Sequence, residues 1–413
     1  MIYQNVLGLF LFTTFAWLIS ENRKGVRKKN VLIGLSIQFI LALILIKAPL
    51  FKEFFLLLNQ LVLALDKATT AGTSFVFGYV GGGTLPFDEK FPGSSFILAF
   101  RALPLLLVVS ALSSLLFYWK VLPYIVKGFA WALQKTMNLG GAAGLGTAAN
   151  IFVGMIEAPL FIKPYLKEMS RSELFTIMTS GMATIAGTMM VLYATIIGQV
   201  IPGALGHILV ASIISAPAAV MVSRLMVPEE DKLTTGELFP PQQAKNSMDA
   251  ITIGTTEGVK LLVNIVAMLI VLLALVSLVN QGLGMIPNLG GEAVTLQRIL
   301  GLLMAPVVWL MGIPWSEAQT AGSLMGTKTI LNEFLAYLEM ANLPAESLSE
   351  RSRLIMTYAM CGFANLGSLG IMIGGLGSMA PERRGEILSL GLKSIVSGTI
   401  ATCLTGAIIG LLF

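Results

Sequence analysis

The stretch NIFVGMIEAPLF, residues 150–161, decides how the rest of the chain is read. Glu157 stands in it among apolar neighbours, with Pro159 two positions on. A carboxylate at membrane depth costs several kcal/mol unless it is paired, so such a residue is functional by default. Gly154 and Pro159 also interrupt any helix that would carry it straight across. Irregular backbone at that depth survives only when buried in protein or lining a wet cavity.

The surrounding composition makes this a membrane context. The 413 residues are 55% apolar and 12% charged, against about 25% charged in soluble domains. The net charge of +5 lies largely in short loops. No basic cluster is interleaved with aromatics in a soluble module, which argues against nucleic acid as a partner. Cys361 and Cys403 both fall in apolar runs, so no disulfide framework is expected. Residues 1–20 lack a basic n-region and a cleavage site and read as a first span. His207, beside IPGALG, reads as a loop or interfacial histidine.

Apolar runs near 20 residues predict spans at 5–20, 31–49, 97–118, 181–200, 205–226, 259–281, 353–375 and 388–412. Two further stretches, about 142–178 and 300–338, are apolar but broken. The basic ENRKGVRKKN (21–30) is placed inside. Alternation then puts 118–135, 227–232 and 381–387 inside and both termini outside. That topology holds only if each broken stretch returns to the side it came from, as a re-entrant hairpin. Residues 51–68 have helical apolar spacing and read as an interfacial helix, followed by a Gly/Pro-rich loop at 78–95.

SGMATIAG (180–187) and CGFANLGS (361–368) align without gaps, Thr184 meeting Asn365, and each interrupts a span. The expected fold is therefore an all-α polytopic membrane protein: eight transmembrane helices plus two re-entrant hairpins, in an inverted repeat with two broken helices. The expected divisions are 1–96 (scaffold helices and external loop), 97–226 (first repeat), 227–258 (polar cytoplasmic loop) and 259–413 (second repeat).

Glu157 and Glu333 occupy comparable places in the two halves, with Lys163 and Lys328 as the nearest possible partners. Asn365 and Ser368 lie at i and i+3 across the second break, where they either bind a ligand or serve as packing glue. Asn150 and Thr184 form a second polar pair around the first hairpin; their neutral oxygens suit a sodium ion. Phe363 reads as a ring that stacks on a planar substrate or as ordinary core. Cys361, beside the second break, is expected to meet a wet cavity. No phosphate loop, HExxH, CxxC or GxSxG occurs in a fitting context, so no enzyme activity or cofactor is expected.

At these residues the chain resembles the concentrative nucleoside transporters in their short bacterial form. AANIFVG, EAPL, NEF.AY and CGFANLGS with the following GGLGS.AP.RRG carry the resemblance, which runs over nearly the whole chain. It implies a homotrimer in the bacterial inner membrane, and inward nucleoside transport with sodium by an elevator-like movement. Carried over residue by residue, it puts Glu333, Asn365 and Ser368 on the ribose, with Phe363 and Met189 also at the substrate. Glu157 falls on the base side. Asn150 and Thr184 match side-chain sodium ligands, and Val153 and Ile185 offer backbone carbonyls. Met155 and Ile156 depart from the family's polar base readers, which leaves base preference open. A proton-coupled carrier of a related ribosyl solute, or a non-transporting recognition module, remain as alternatives.

Overall fold

Long apolar runs satisfy their backbone polar groups internally by coiling, and helices are the only regular structure among the described residues. The computed structural model describes residues 2–89, 95–155, 157–235, 244–288 and 293–413. In chain order come α1 (Ile2–Leu18), α2 (Lys28–Lys47), α3 (Pro49–Phe77), α4 (Leu98–Arg101), α5 (Leu105–Tyr118) and α6 (Val121–Met137). Next are α7 (Gly141–Asn150), α8 (Arg171–Ala183), α9 (Gly187–Ile197), α10 (Ala204–Met226) and α11 (Ser247–Leu283). The last third holds α12 (Leu296–Leu310), α13 (Trp315–Ile330), α14 (Glu333–Asn342), α15 (Glu350–Ala359), α16 (Leu366–Met379) and α17 (Arg384–Leu412).

By length and composition, seven helical runs among the described residues could cross a membrane, or eight if α12 and α13, bent by 115°, form one broken span. Their membership differs from the sequence expectation. Glu53–Gly81 qualifies, whereas residues 51–68 read as a shorter interfacial helix; Thr69 and Thr73 continue the helix by bonding back to Leu65 O and Thr70 O. The stretch 118–135 is no loop. It is α6, which buries Pro123, Val126, Ala130, Leu133 and Met137 on one face and leaves Tyr124 and Trp131 exposed. α11 starts at Ser247, well before residue 259, because Asn246 caps it by accepting from Asp249 N at 2.9 Å.

Both hairpins form pairs of arms with boundaries displaced from those expected. The first joins α7 to a 3₁₀ arm, Ala158–Tyr165. Its expected end at 178 runs too far, because Ser170 and Glu173 make a reciprocal capping box that starts α8. The second joins α13 to α14 across Leu331 and Asn332, and the residues from 300 to 310 belong to α12. Each hairpin is followed by two helices separated by a break: α8 and α9 at 184–186, α15 and α16 at 360–365.

An arginine ties off each hairpin's returning arm. Arg353 donates to the carbonyls of Met340, Leu343, Pro344 and Leu348. Arg383 donates to those of Leu166 and Met169. These groups would otherwise be stranded helix-end acceptors in an apolar interior. α10 and α17 form the most enclosed part of the molecule, while α11 lies along α5 with most of its apolar surface exposed.

At one end of the molecule Glu21, between α1 and α2, accepts from Arg171 at 2.9 Å and also from Lys393. The Arg171 hydrogen bond, with help from Lys393, lowers the Glu21 carboxyl from 4.5 to about 2, against the opposing effect of burial. A depressed acid stabilises the fold above its unfolded value and loses that contribution as pH falls toward its folded value. Glu21→Gln should therefore lower stability near neutral pH by less than about 1 kcal/mol, solvent screening being substantial here. The gap from wild type should close as pH falls from 4.5 toward about 2. Detergent-solubilised protein melted across that range checks this; a gap independent of pH would refute it.

Candidate functional site

The two hairpin turns and the two helix breaks meet at one cavity of about 240 Å³. Its wall includes Met155 and Glu157 from the first hairpin and Leu331, Asn332 and Glu333 from the second. Ala186, Thr188, Met189 and Tyr193 come from the first broken pair, and Phe363, Asn365, Gly367 and Ser368 from the second. The facing wall is α11, through Leu261, Asn264, Ile265, Met268, Leu269 and Leu272.

Glu333 is the best-anchored group. Asn332 caps α14 by accepting from Leu335 N at 2.9 Å, which puts Glu333 on the first helical position. The helix N-terminus there favours negative charge. Tyr193 donates its hydroxyl to Glu333 Oε1 at 2.6 Å and Asn365 donates its amide to Oε2 at 2.8 Å. Asn365 in turn accepts from Ser368 N at 2.7 Å, as the cap of α16. Two donors fill part of a carboxylate's roughly four acceptor sites, and the rest serve the cavity that Glu333 lines. Lys328, a possible partner from sequence, is fully buried but donates to Thr402 Oγ1 at 3.3 Å.

Glu157 is exposed at the cavity wall. The turn that presents it depends on Gly154, whose φ of +123° is unfavourable for any residue with a side chain; a Cβ there would lie 2.9 Å from Ala186 Cβ. Behind this turn, Thr184 Oγ1 donates to Asn150 O at 3.0 Å and to Ser180 O at 2.8 Å. Asn150 Oδ1 and Nδ2 are both buried without a hydrogen-bond partner. A buried carboxamide orphaned at both of its polar atoms among the described residues calls for an explanation, and a bound ion is one.

Sequence models described as "Na+ dependent nucleoside transporter" match at residues 7–80 (N-terminus) and 207–410 (C-terminus), and one described as "Nucleoside recognition" matches at 99–200. An uncharacterized transporter of Haemophilus influenzae is 36% identical over 99% of this chain and 97% of its own. The chain belongs to the concentrative nucleoside transporter family. The nucleoside permease NupC of Helicobacter pylori is 34% identical, covering 98% of this chain and 97% of its own. CNTnw, solved in an inward-facing substrate-bound state, superposes with a TM-score of 0.91 at 33% identity, over 99% of this chain and 98% of its own. These relatives are multi-pass membrane transporters, not enzymes.

Of the site residues expected from sequence, Met155, Glu157, Met189, Glu333, Phe363, Asn365 and Ser368 all line the cavity. Ile156 lies outside the described residues. Asn150 and Thr184 meet through the hydrogen bond above, and Val153 and Ile185 sit in the same two interruptions. Two expectations fail. Cys361 is fully buried and turns its thiol to Ile208 O at 3.6 Å, so it is not open to a wet break. His207 lies in the first turn of α10 rather than a loop, with Nδ1 2.9 Å from the Tyr358 hydroxyl. Tyr193 escaped the sequence reading because one tyrosine in an apolar run looks like core. Its signal was the hydroxyl, which needs a partner at that depth.

Tyr193→Phe removes one of the two donors that hold Glu333. A hydrogen bond to a charged group is worth about 1.5–3 kcal/mol, so apparent nucleoside affinity should fall about tenfold or more. Uptake kinetics check this, and wild-type affinity would show that Asn365 alone positions the carboxylate.

Proposed function

We propose that this protein imports nucleosides together with sodium across the bacterial inner membrane. The observation that carries the reading is the Glu333 carboxylate, buried and pinned by two neutral donors at the edge of a cavity. Such a group accepts paired hydroxyls, as a ribose offers, through charge-assisted bonds. Asn365 and Ser368 stand beside it, and Phe363 offers a ring face to a planar base. Glu157 lies at the opposite hairpin turn, on the base side.

The Asn150 carboxamide fits sodium, having a buried oxygen with no other partner. Thr184 Oγ1 spends its proton on backbone carbonyls and keeps lone pairs for a cation. Backbone carbonyls of Val153 and Ile185 would complete the set. Sodium bound there supplies the charge that joins the first hairpin's turn to the α8–α9 break. Substrate and ion would thus share the turn that holds both Asn150 and Glu157, which is the basis of coupling.

The hairpins and broken helices are proposed as the moving unit, drawn from two inverted repeats at residues 97–226 and 259–413, with both hairpins re-entrant. α5 and α11 form the wall against which it slides. The Glu21 cluster supports a shared side for the loop after α1, the start of α8 and the first turns of α17; the basic residues 21–30 argue that this side is inside, with both termini outside. A homotrimer is part of the proposal, on the strength of the resemblance alone.

Uptake into liposomes under a sodium gradient, with choline replacing sodium in the control, tests the proposal; uptake that follows pH and ignores sodium would replace it with proton coupling. Glu333→Gln should lower nucleoside affinity by about a hundredfold, because charge-assisted bonds worth about 1.5–3 kcal/mol each are weakened. Wild-type affinity in that variant would move the ribose elsewhere.

Asn150→Ala should raise the sodium concentration for half-maximal uptake roughly five- to tenfold, one such interaction being worth about 1–1.5 kcal/mol. Linkage requires nucleoside affinity to fall in parallel when sodium is limiting. An unshifted sodium curve would put the ion site elsewhere.

A further inference from the structure

The inference concerns α11 and rests on the nucleoside reading above. Asn264 is the one polar residue that this helix contributes to the cavity wall, where it stands between Leu261, Ile265 and Met268. It is exposed, and its carboxamide has no hydrogen-bond partner among the described residues. A carboxamide in a membrane helix ordinarily bonds a neighbouring helix. This one faces open space instead.

Position along α11 says which part of a substrate it meets. Leu269 and Leu272 pack against Leu331 and Leu335 at the second hairpin. Met268 reaches to 3.7 Å from where a Cβ on Gly367 would stand, next to Ser368. These contacts mark the ribose end. Asn264 precedes Met268 by about 6 Å along the axis and Leu272 by about 12 Å. It therefore lies on the side of the cavity away from Leu331 and Leu335, and we infer that it faces the first hairpin, whose Glu157 lines the same cavity.

We propose that Asn264 reads the hydrogen-bonding edge of the nucleobase, from the wall opposite the first hairpin. A carboxamide offers a donor and an acceptor side by side, the pattern that pairs with adjacent acceptor and donor atoms on a base edge. Met155 lines the cavity without any such group. Base discrimination would then rest on the facing helix rather than on Met155. The ligand is a nucleoside whose base carries an exocyclic amine or oxygen next to a ring nitrogen.

The test is a competition assay on the full chain in liposomes under a sodium gradient, with labelled uridine and labelled adenosine. Competitors come in pairs that differ only at that edge: adenosine with purine riboside, and uridine with pyrimidin-2-one riboside. Wild type should prefer the complete base by about two- to tenfold, the range one neutral hydrogen bond spans. Asn264→Leu should bring the ratio toward one and leave the penalty for a 3′-deoxyribose unchanged. Asn264→Gln, which keeps the carboxamide, should retain part of the ratio. Equal ratios in wild type and Asn264→Leu overturn the proposal. So does a changed oligomeric state with unchanged ratios, which would place Asn264 in a contact between copies. If wild type takes up neither labelled nucleoside, the functional reading itself fails, an outcome distinct from uptake without edge discrimination.

Discussion

Backbone that leaves the helix inside an apolar protein must find new partners, and the architecture here is organised around four places where it does so. The turns of the two hairpins and the breaks between α8 and α9 and between α15 and α16 all abandon helical geometry near one cavity. Capping residues settle the account locally. Asn332 starts α14, Asn365 starts α16, and Thr184 bonds across to Asn150 O. Each of these residues also stands at the candidate site. Polar groups needed to end and restart helices are thereby the ones available to bind something.

The same constraint explains the far ends of the hairpins. Arg353 and Arg383 each collect the carbonyls left at a returning arm, and a guanidinium suits this because it has five donors in a fixed fork. Removal of either would leave several acceptors unpaired at once. The hairpins are thus held at their bases by arginines, and the second also at its turn by the Asn332 cap. The α11 wall, joined mainly to α5, lies outside this web.

Much of the site was legible in the sequence because charge and amide groups are scarce in an apolar chain. Glu157, Glu333, Asn365 and Asn150 each stood out against their neighbours, and resemblance sorted them into roles. Boundaries were less legible. The capping box at Ser170 and Glu173 lies in a polar stretch that resembles a loop until the reciprocal bonds are seen. α6 and the first turns of α11 carry enough charge to read as connections, yet one face of α6 packs inward. Cys361 and Asn264 show that position in the chain does not say which way a side chain points. The thiol beside the break faces α10, while the Asn264 amide, midway along a long apolar helix, faces the cavity.

The sequence by itself determined that this is a helical membrane protein with carboxylates and amides stranded at two interruptions, since hydropathy and the cost of buried charge are properties of local composition. It also determined the family, through motifs that keep those interruptions intact. Only the tertiary structure decided what those groups do with one another. Glu333 meets Tyr193, 140 residues away in the chain, through a hydroxyl that no local pattern marks. Asn150 keeps its carboxamide unpartnered among the described residues while Thr184 bonds its main-chain oxygen. Such pairings depend on how distant helices cross, and crossing is set by packing over the whole molecule rather than by the residues that happen to meet.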